Sequence, residues 1–147
     1  LEISRLGGLL TSAPKMGWVL GFATMASLGL PGLAGFWGEF PAILSTYNPG
    51  AGLSEELFRV YMVIAAIGTV FAAGYLLWLF QRTAFGEPAD EWTGHTISDV
   101  STLEWVAWTP FLAGIVLFGV WPNLIFNLTD DVVTGITTSV NAIVAGR

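Results

Sequence analysis

The stretch ASLGLPGLAGFWGEF, residues 26–40, decides how this chain folds. It is almost wholly apolar, yet it is interrupted by Gly29, Pro31 and Gly32. A proline removes one backbone donor, and its ring clashes with the preceding helical turn. A bilayer tolerates interrupted backbone only where protein or a watery cavity satisfies the freed polar groups. We therefore predict a discontinuous membrane helix over residues 16–47, with its break at these two glycines and the proline.

The composition extends the membrane interpretation to the rest of the chain. Of the 147 residues, 54% are apolar and only 11% are charged, whereas about a quarter of the residues in a soluble domain are charged. Charges are absent from residues 16–38, 60–81 and 105–129, and each run exceeds the roughly 20 residues that cross a bilayer. We predict an all-α integral membrane fold with three transmembrane helices, the first discontinuous, and a short C-terminal interfacial helix.

The pattern of apolar and polar residues divides the chain into six predicted segments. They are a cytoplasmic-side loop (1–15), the discontinuous transmembrane helix (16–47), a transmembrane helix (57–82), an acidic loop (83–102), a third transmembrane helix (103–126) and an interfacial tail (130–147). Arg5, Lys15 and Arg82 would share one face, which the positive-inside tendency makes cytoplasmic. Because the sequence starts at Leu1 rather than at methionine, we expect the C-terminal fragment of a larger helical bundle.

Charge and residue usage exclude several classes of function. The net charge of -6 argues against a surface that grips nucleic acid. The chain has no cysteine, which excludes thiolate and iron–sulfur chemistry, and its only histidine is His95. We therefore expect no metal site and no bound cofactor in this chain.

Glu39 is the one charge inside the first apolar segment. A charged side chain at the centre of a membrane helix costs about 2.5–3.5 kcal/mol on insertion scales. Removal from water favours the neutral form of a carboxyl group, so we expect Glu39 to exchange protons and to act as a proton relay. Thr24, Ser27 and Ser45 are candidate hydroxyls along a water path to it, and Gly35 and Gly38 would leave room for that water.

Structural alternatives remain open for each of these residues. Glu39 could form a fixed ion pair with a basic residue outside this chain, or extend to a nearby interface. The Gly and Pro cluster could be a packing kink without an ion path. Arg82 is first an interfacial anchor and second a partner in the relay. The acidic run between residues 87 and 99 is a solvated face, or a surface that docks a partner.

Residues 26–40 also resemble a known group of proteins. Their Leu-Pro-Gly break, the Gly-Phe that follows and the ionisable residue after it are similar to the antiporter-like membrane subunits of respiratory complex I and of multisubunit cation/proton antiporters. Most of those subunits carry lysine where this chain has Glu39, whereas the subunit M type has glutamate, as in Gly38-Glu39-Phe40 here. Residues 75–86 and 118–125 resemble the two helices that follow in that type.

The resemblance implies a function that the residues alone do not. It implies the last three spans of a proton-pumping subunit of NADH-quinone oxidoreductase in a bacterial inner membrane, with Glu39 as the terminal proton site where the exit half-channel opens. It places NADH, FMN, iron–sulfur clusters and quinone in partner subunits. It also implies two sister antiporter-like subunits and a lateral helix from one of them as neighbours, besides the lipid. The alternatives are a subunit of a cation/proton antiporter, in which lysine at position 39 is more frequent, and a structural membrane scaffold.

Overall fold

The computed structural model describes residues 6–50, 52–88 and 97–145, and every regular element in them is helical. The helices are α1 (Leu9–Ser12), α2 (Pro14–Ser27), α3 (Ala34–Ser45), α4 (Glu55–Ala84), α5 (Thr102–Val120) and α6 (Asn123–Ala145). The expected all-helical class is therefore confirmed for the described residues. Arg5, His95 and Arg147 lie outside them.

Two helices, α4 and α5, are long and apolar enough to cross a membrane, with mean hydropathies of 2.1 and 1.6 over their most apolar windows. Helix α4 has 30 residues, which corresponds to about 45 Å at 1.5 Å per residue. Its ends match the helix dipole, because Glu55 and Glu56 stand in the first turn and Arg82 in the last. Few side chains of either helix are buried.

The apolar stretch at residues 16–47 forms two helices with a connection between them. Helix α2 ends at Ser27 and α3 begins at Ala34. We call residues 28–33 the break segment. Gly29 and Gly32 have φ angles of 65° and 93° in it, a region that glycine occupies without the steric penalty of a Cβ.

The chain before this stretch differs from the predicted loop. Residues 9–12 form the single turn of α1, and α2 begins at Pro14, two residues before the predicted start. Pro14 fits there because the first helical position needs no N–H donor and its φ suits proline. Gly8 precedes α1 with a φ of 67° and donates its N–H to the carbonyl of Phe85 beyond the end of α4.

The third predicted span was too long at its C-terminal end. Helix α5 stops at Val120 and α6 begins at Asn123, because Pro122 cannot donate to the carbonyl of the preceding turn and its ring clashes there. The tail is consequently helical from residue 123 and not only from 130. Helix α6 is amphipathic, with apolar residues recurring every three or four positions: Leu128, Val132, Ile136, Val140 and Ile143. A stripe of this kind suits a helix lying on an interface.

The most buried side chains lie where three helix ends meet. Ala13, Ala84 and Val100 are only 1%, 0% and 3% exposed. They come from the start of α2, the end of α4 and the approach to α5. We call these three residues and Asp99 the terminal junction. Because the start of α2 meets the end of α4, these two helices run antiparallel, and Gly21 of α2 packs on the ring of Phe80.

Helix α3, which follows the break segment, packs against the two candidate spans, α4 and α5. Its contact with α5 is the most extensive, and it also touches α2 and α4. The indole of Trp37 reaches the carbonyl of Gly119 on α5, and its ring stands edge-on to Phe126 of α6. The helix that carries Glu39 therefore contacts both candidate spans, although none of its residues is buried.

Candidate functional site

Glu39 lies in a groove between α3 and α4. The groove has a volume of about 420 Å³ and is lined by Gly38, Glu39, Ala42 and Ile43 of α3 and by Ala65, Gly68, Thr69 and Ala72 of α4. The midpoint of α4 falls between Thr69 and Val70. Glu39 therefore stands level with the middle of a helix long enough to cross the membrane, and its side chain is exposed to the groove.

Small residues form the wall that faces Glu39. Ala65, Gly68 and Ala72 leave free space where larger side chains would fill the groove. The hydroxyl of Thr69 donates to the carbonyl of Ala66 in its own helix, 2.7 Å away, and its oxygen can still accept a hydrogen bond. Across the described ranges, no cation lies within ion-pair distance of Glu39. The groove thus offers the carboxyl group space and one hydroxyl but no counter-ion.

The carboxyl group of Glu39 reaches back to the break segment. A Cβ on Gly29 would stand 2.7 Å from Glu39 Oε2, so the carboxyl group lies directly against the backbone at position 29. Helix α3 starts without a side-chain cap, which leaves N–H groups of its first turn as donors for water or for an anion. The break therefore supplies polar backbone beside the carboxyl group of Glu39.

Pro41 is a residue of the site that the sequence analysis overlooked. It lies inside α3, two residues after Glu39, and it has no N–H to pair with the carbonyl of Trp37 one turn earlier. Backbone polar groups are thus freed on both sides of Glu39, at the break segment and at Pro41. The signal was the Glu-Phe-Pro sequence itself, which the stronger Leu-Pro-Gly break obscured.

The three candidate hydroxyls do not surround Glu39. Thr24 is 4% exposed, and its hydroxyl donates to the carbonyl of Leu20 in α2. Ser27 and Ser45 are the exposed last residues of α2 and α3, and the Ser45 hydroxyl donates to the carbonyl of Ala42. Within the described part of the chain, none of the three forms a hydrogen bond with Glu39. Their place on a water path stays a prediction.

Arg82 is far from Glu39. It lies in the last turn of α4, with its guanidinium 5.4 Å from the centre of the Trp78 ring. Thirteen residues separate it from Thr69 at the groove, which is about 20 Å along the helix. This cation–π contact near a helix end is typical of an interfacial anchor, and the structure does not bring Arg82 into the site.

A second carboxylate, Asp99, has an opposite environment. Its two oxygens accept hydrogen bonds from the backbone N–H groups of Lys15, Met16 and Val100 at 3.1, 3.1 and 2.8 Å. Partial burial acts to raise the pKa of Asp99, but these three donors and the charge of Lys15 together hold that pKa below its ordinary value of 3.8. Asp99 therefore caps the start of α2 from a distant part of the sequence, and it is not simply part of a solvated acidic face.

Within residues 6–50, 52–88 and 97–145, no group of three or more His, Asp or Glu side chains is arranged to hold a metal ion. At Glu39 the structure places a carboxyl group beside open space and beside the backbone of the break segment. Such a group can accept a proton from water on one side and return it to water on another.

Comparison with known proteins identifies relatives of this chain. No family model matches it. It is 34% identical over 141 residues to NADH-quinone oxidoreductase subunit M of Rhodobacter capsulatus, covering 96% of this chain and 26% of that protein. It is 32% identical over 127 residues to subunit M of Rickettsia conorii, covering 86% and 24%. It is 30% identical over 118 residues to NADH-ubiquinone oxidoreductase chain 4 of Arabidopsis thaliana, covering 80% and 22%.

The chain spans about a quarter of the length of the curated relatives it matches. The similarity nevertheless runs through the groove, the break segment and both long helices, because it covers most of this chain. The resemblance to the subunit M type is thus confirmed, and this chain belongs to the family of the subunit M and chain 4 proteins of NADH-quinone and NADH-ubiquinone oxidoreductases.

Proposed function

We propose that this chain is part of a proton-translocating membrane subunit of NADH-quinone oxidoreductase, in which Glu39 is the terminal proton site and the exit half-channel opens from it. The observation that carries the proposal is the position of Glu39. Its carboxyl group faces a groove level with the middle of α4, directly beside an interrupted helix. An ionisable residue inside a membrane segment is a candidate for function by default.

The chemistry follows from the surroundings of the carboxyl group. Water in the groove would hydrogen-bond to Glu39, and the free backbone groups of the break segment would orient it. A carboxyl group that contacts water in this way can take up a proton from one water molecule and release it to another.

The rest of the pump would be supplied by other subunits. The names of the relatives support membership in complex I, so we propose the other membrane-arm subunits as partners, including two sister antiporter-like subunits and a lateral helix from one of them. NADH, FMN, iron–sulfur clusters and quinone would bind in partner subunits. The chain would be multi-pass in a bacterial inner membrane and would contribute to the enzyme as a proton translocase, without redox chemistry of its own.

The proposal is tested with Glu39→Gln and Glu39→Ala in the full-length subunit. Both remove the titratable group, so we expect normal assembly and normal binding of the redox subunits but a loss of proton pumping in reconstituted vesicles. The matched control is Glu56→Gln, which removes an exposed carboxylate from the first turn of α4 and should leave pumping unchanged. Pumping at the normal ratio of protons to NADH in both Glu39 variants would overturn the proposed role.

A further inference from the structure

The side chain of Trp37 connects α3 to the end of α5. Its indole Nε1–H donates a hydrogen bond of 2.7 Å to the carbonyl of Gly119. Helix α5 ends one residue later, at Val120, and the last four carbonyls of a helix have no partner within it. Trp37 therefore caps α5 from a neighbouring helix, and in apolar surroundings a carbonyl without such a partner would carry a desolvation penalty.

The break segment meets the same point of α5. A Cβ on Gly119 would overlap the carbonyl of Gly32 and the Cα of Leu33, so the two backbones are in direct contact there. The ring of Trp37 also stands edge-on to Phe126 of α6, with the ring centres 6.1 Å apart. We call Trp37, Gly32 and Gly119 the latch. It joins the break segment, α3 and the end of α5 at one place.

The latch and Glu39 lie on different faces of α3. Successive residues of an α-helix are about 100° apart around its axis, so positions 37 and 39 lie about 200° apart on nearly opposite faces. Trp37 accordingly contacts α5 while Glu39 faces the groove against α4. Any rotation of α3 that broke the hydrogen bond to Gly119 would also turn Glu39 out of its place opposite Ala65, Gly68 and Ala72.

We infer that Trp37 is a positioning residue for the proton site: its hydrogen bond to Gly119 holds α3 in the rotation that opens Glu39 to the groove. The inference rests on the proposed function for its consequence in pumping, but the geometric part stands apart from it. Trp37 does not itself carry protons, because the indole N–H is a donor only and does not titrate in this role.

The first test measures the access of water to position 39. A cysteine introduced as Glu39→Cys in the full-length, assembled complex would be labelled with a small water-soluble thiol reagent, and labelling would be read by mass spectrometry on the peptide that contains position 39, where the native chain has no cysteine. The labelling rate is compared in the native background and with Trp37→Phe, which keeps an aromatic ring but removes the donor. We expect the rate to fall by about fivefold, the factor that corresponds to one neutral hydrogen bond, and a faster rate would contradict the inference.

The control is Trp108→Phe, which changes another tryptophan of the membrane region without touching the latch, and the labelling rate should then stay at its native value. An unchanged rate in Trp37→Phe would overturn the inference. Trp37→Tyr also lacks the indole donor but fills more of the space. If Trp37→Phe and Trp37→Tyr both fail to assemble while Trp108→Phe assembles, Trp37 is a packing residue and the inference is equally overturned.

A second measurement separates this inference from the proposed function. With Glu39 left unchanged, Trp37→Phe should lower the number of protons pumped per NADH and shift the pH dependence of pumping. With Glu39→Gln already present, adding Trp37→Phe should cause no further loss of pumping. If Glu39→Gln pumps normally while the labelling rate still responds to Trp37→Phe, the proposed function is wrong but the positioning role of Trp37 is supported. If the labelling rate does not respond to Trp37→Phe, the positioning role is wrong, regardless of how the Glu39 variants pump.

Discussion

Asp99 and Glu39 are two carboxyl groups of one chain in opposite situations. Asp99 lies at the terminal junction, where three backbone N–H groups donate to it and fix the start of α2. Glu39 lies beside the break segment, where the described residues provide an open groove and no cation. The three hydrogen bonds favour the carboxylate form of Asp99 and keep its pKa below the ordinary value.

The two carboxyl groups indicate that a carboxylate that stabilises the fold and a carboxyl group that exchanges protons need different surroundings. A carboxylate that accepts several backbone hydrogen bonds strengthens the fold, because protonation would break those bonds. A carboxyl group without fixed partners adds little to the fold but can change its protonation state. The structural carboxylate therefore stands where helix ends are tightly packed, and the proposed relay stands where the helix is interrupted and the packing is open.

The largest effect on stability is expected at the latch. Gly119→Ala would force a Cβ into the backbone of the break segment, and overpacking of this kind costs about 1–3 kcal/mol. We expect a lower melting temperature of the full-length subunit in the assembled complex. Gly114→Ala in the same helix, whose new Cβ would have only an ordinary contact with Phe118, is the matched control. Equal melting temperatures for the two variants would contradict the close contact between α5 and the break segment.

A smaller but pH-dependent effect is expected at Asp99. The pKa of Asp99 in the folded chain lies below 3.8, so its contribution to stability is complete above that pH and is lost as the pH falls through the lowered pKa. Asp99→Asn should destabilise the subunit at neutral pH and should remove part of the loss that the native protein shows below about pH 4. Thermal unfolding between pH 3 and pH 7 measures both effects.

Asp130→Asn is the control for Asp99, since Asp130 lies on the exposed face of α6. This variant should unfold like the native protein at every pH. The cap at α2 would be contradicted if Asp99→Asn and Asp130→Asn had the same pH dependence.

The start of α5 also has a side-chain cap, but this cap joins residues only three positions apart. The Ser101 hydroxyl accepts from the N–H of Glu104, and Glu104 Oε2 accepts from the Ser101 N–H at 2.7 Å. Ser101→Ala should cost about 1 kcal/mol, the usual loss for a helix N-cap. Ser139→Ala removes a hydroxyl that bonds within α6 and should have less effect in the same unfolding measurement. An unaltered stability in Ser101→Ala would show that this capping box does not hold α5.

The smallest effect on stability is expected at Glu39 itself. Glu39→Gln removes no ion pair and no hydrogen bond among the described residues, so the free energy of unfolding should stay within about 0.5 kcal/mol of the native value. A large loss of stability in this variant would reveal a fixed partner and would make Glu39 a structural residue like Asp99.

Local chemistry explains what the sequence could predict. The helical class and two apolar spans follow from hydropathy, since a long apolar run without charges is typical of a helix that crosses a bilayer. Pro31 and Gly32 signal an interruption because their effects act on the backbone at their own positions. Pro122 acts in the same way, yet the apolar residues that follow it extended the third predicted span past the real end of α5.

Contacts between distant residues could not be predicted in this way. Asp99 caps α2 across 83 and 84 positions of sequence, and Trp37 reaches Gly119 across 82. Neither pairing can be recognised from a pattern in the sequence, because one partner in each hydrogen bond is a backbone group that every residue position can offer. The second span contains many small residues, but which of them face Glu39 depends on how α3 and α4 pack.

The proposed proton relay requires Glu39 to change its protonation state while the enzyme turns over. Difference infrared spectroscopy of the full-length subunit in the assembled complex, recorded between the resting and the turning-over enzyme, observes the carboxyl group directly. We predict a carbonyl band of a protonated carboxyl group that changes with turnover and is absent in Glu39→Gln, but remains in Asp99→Asn. A spectrum in which Glu39→Gln removes no turnover-dependent band would contradict the account.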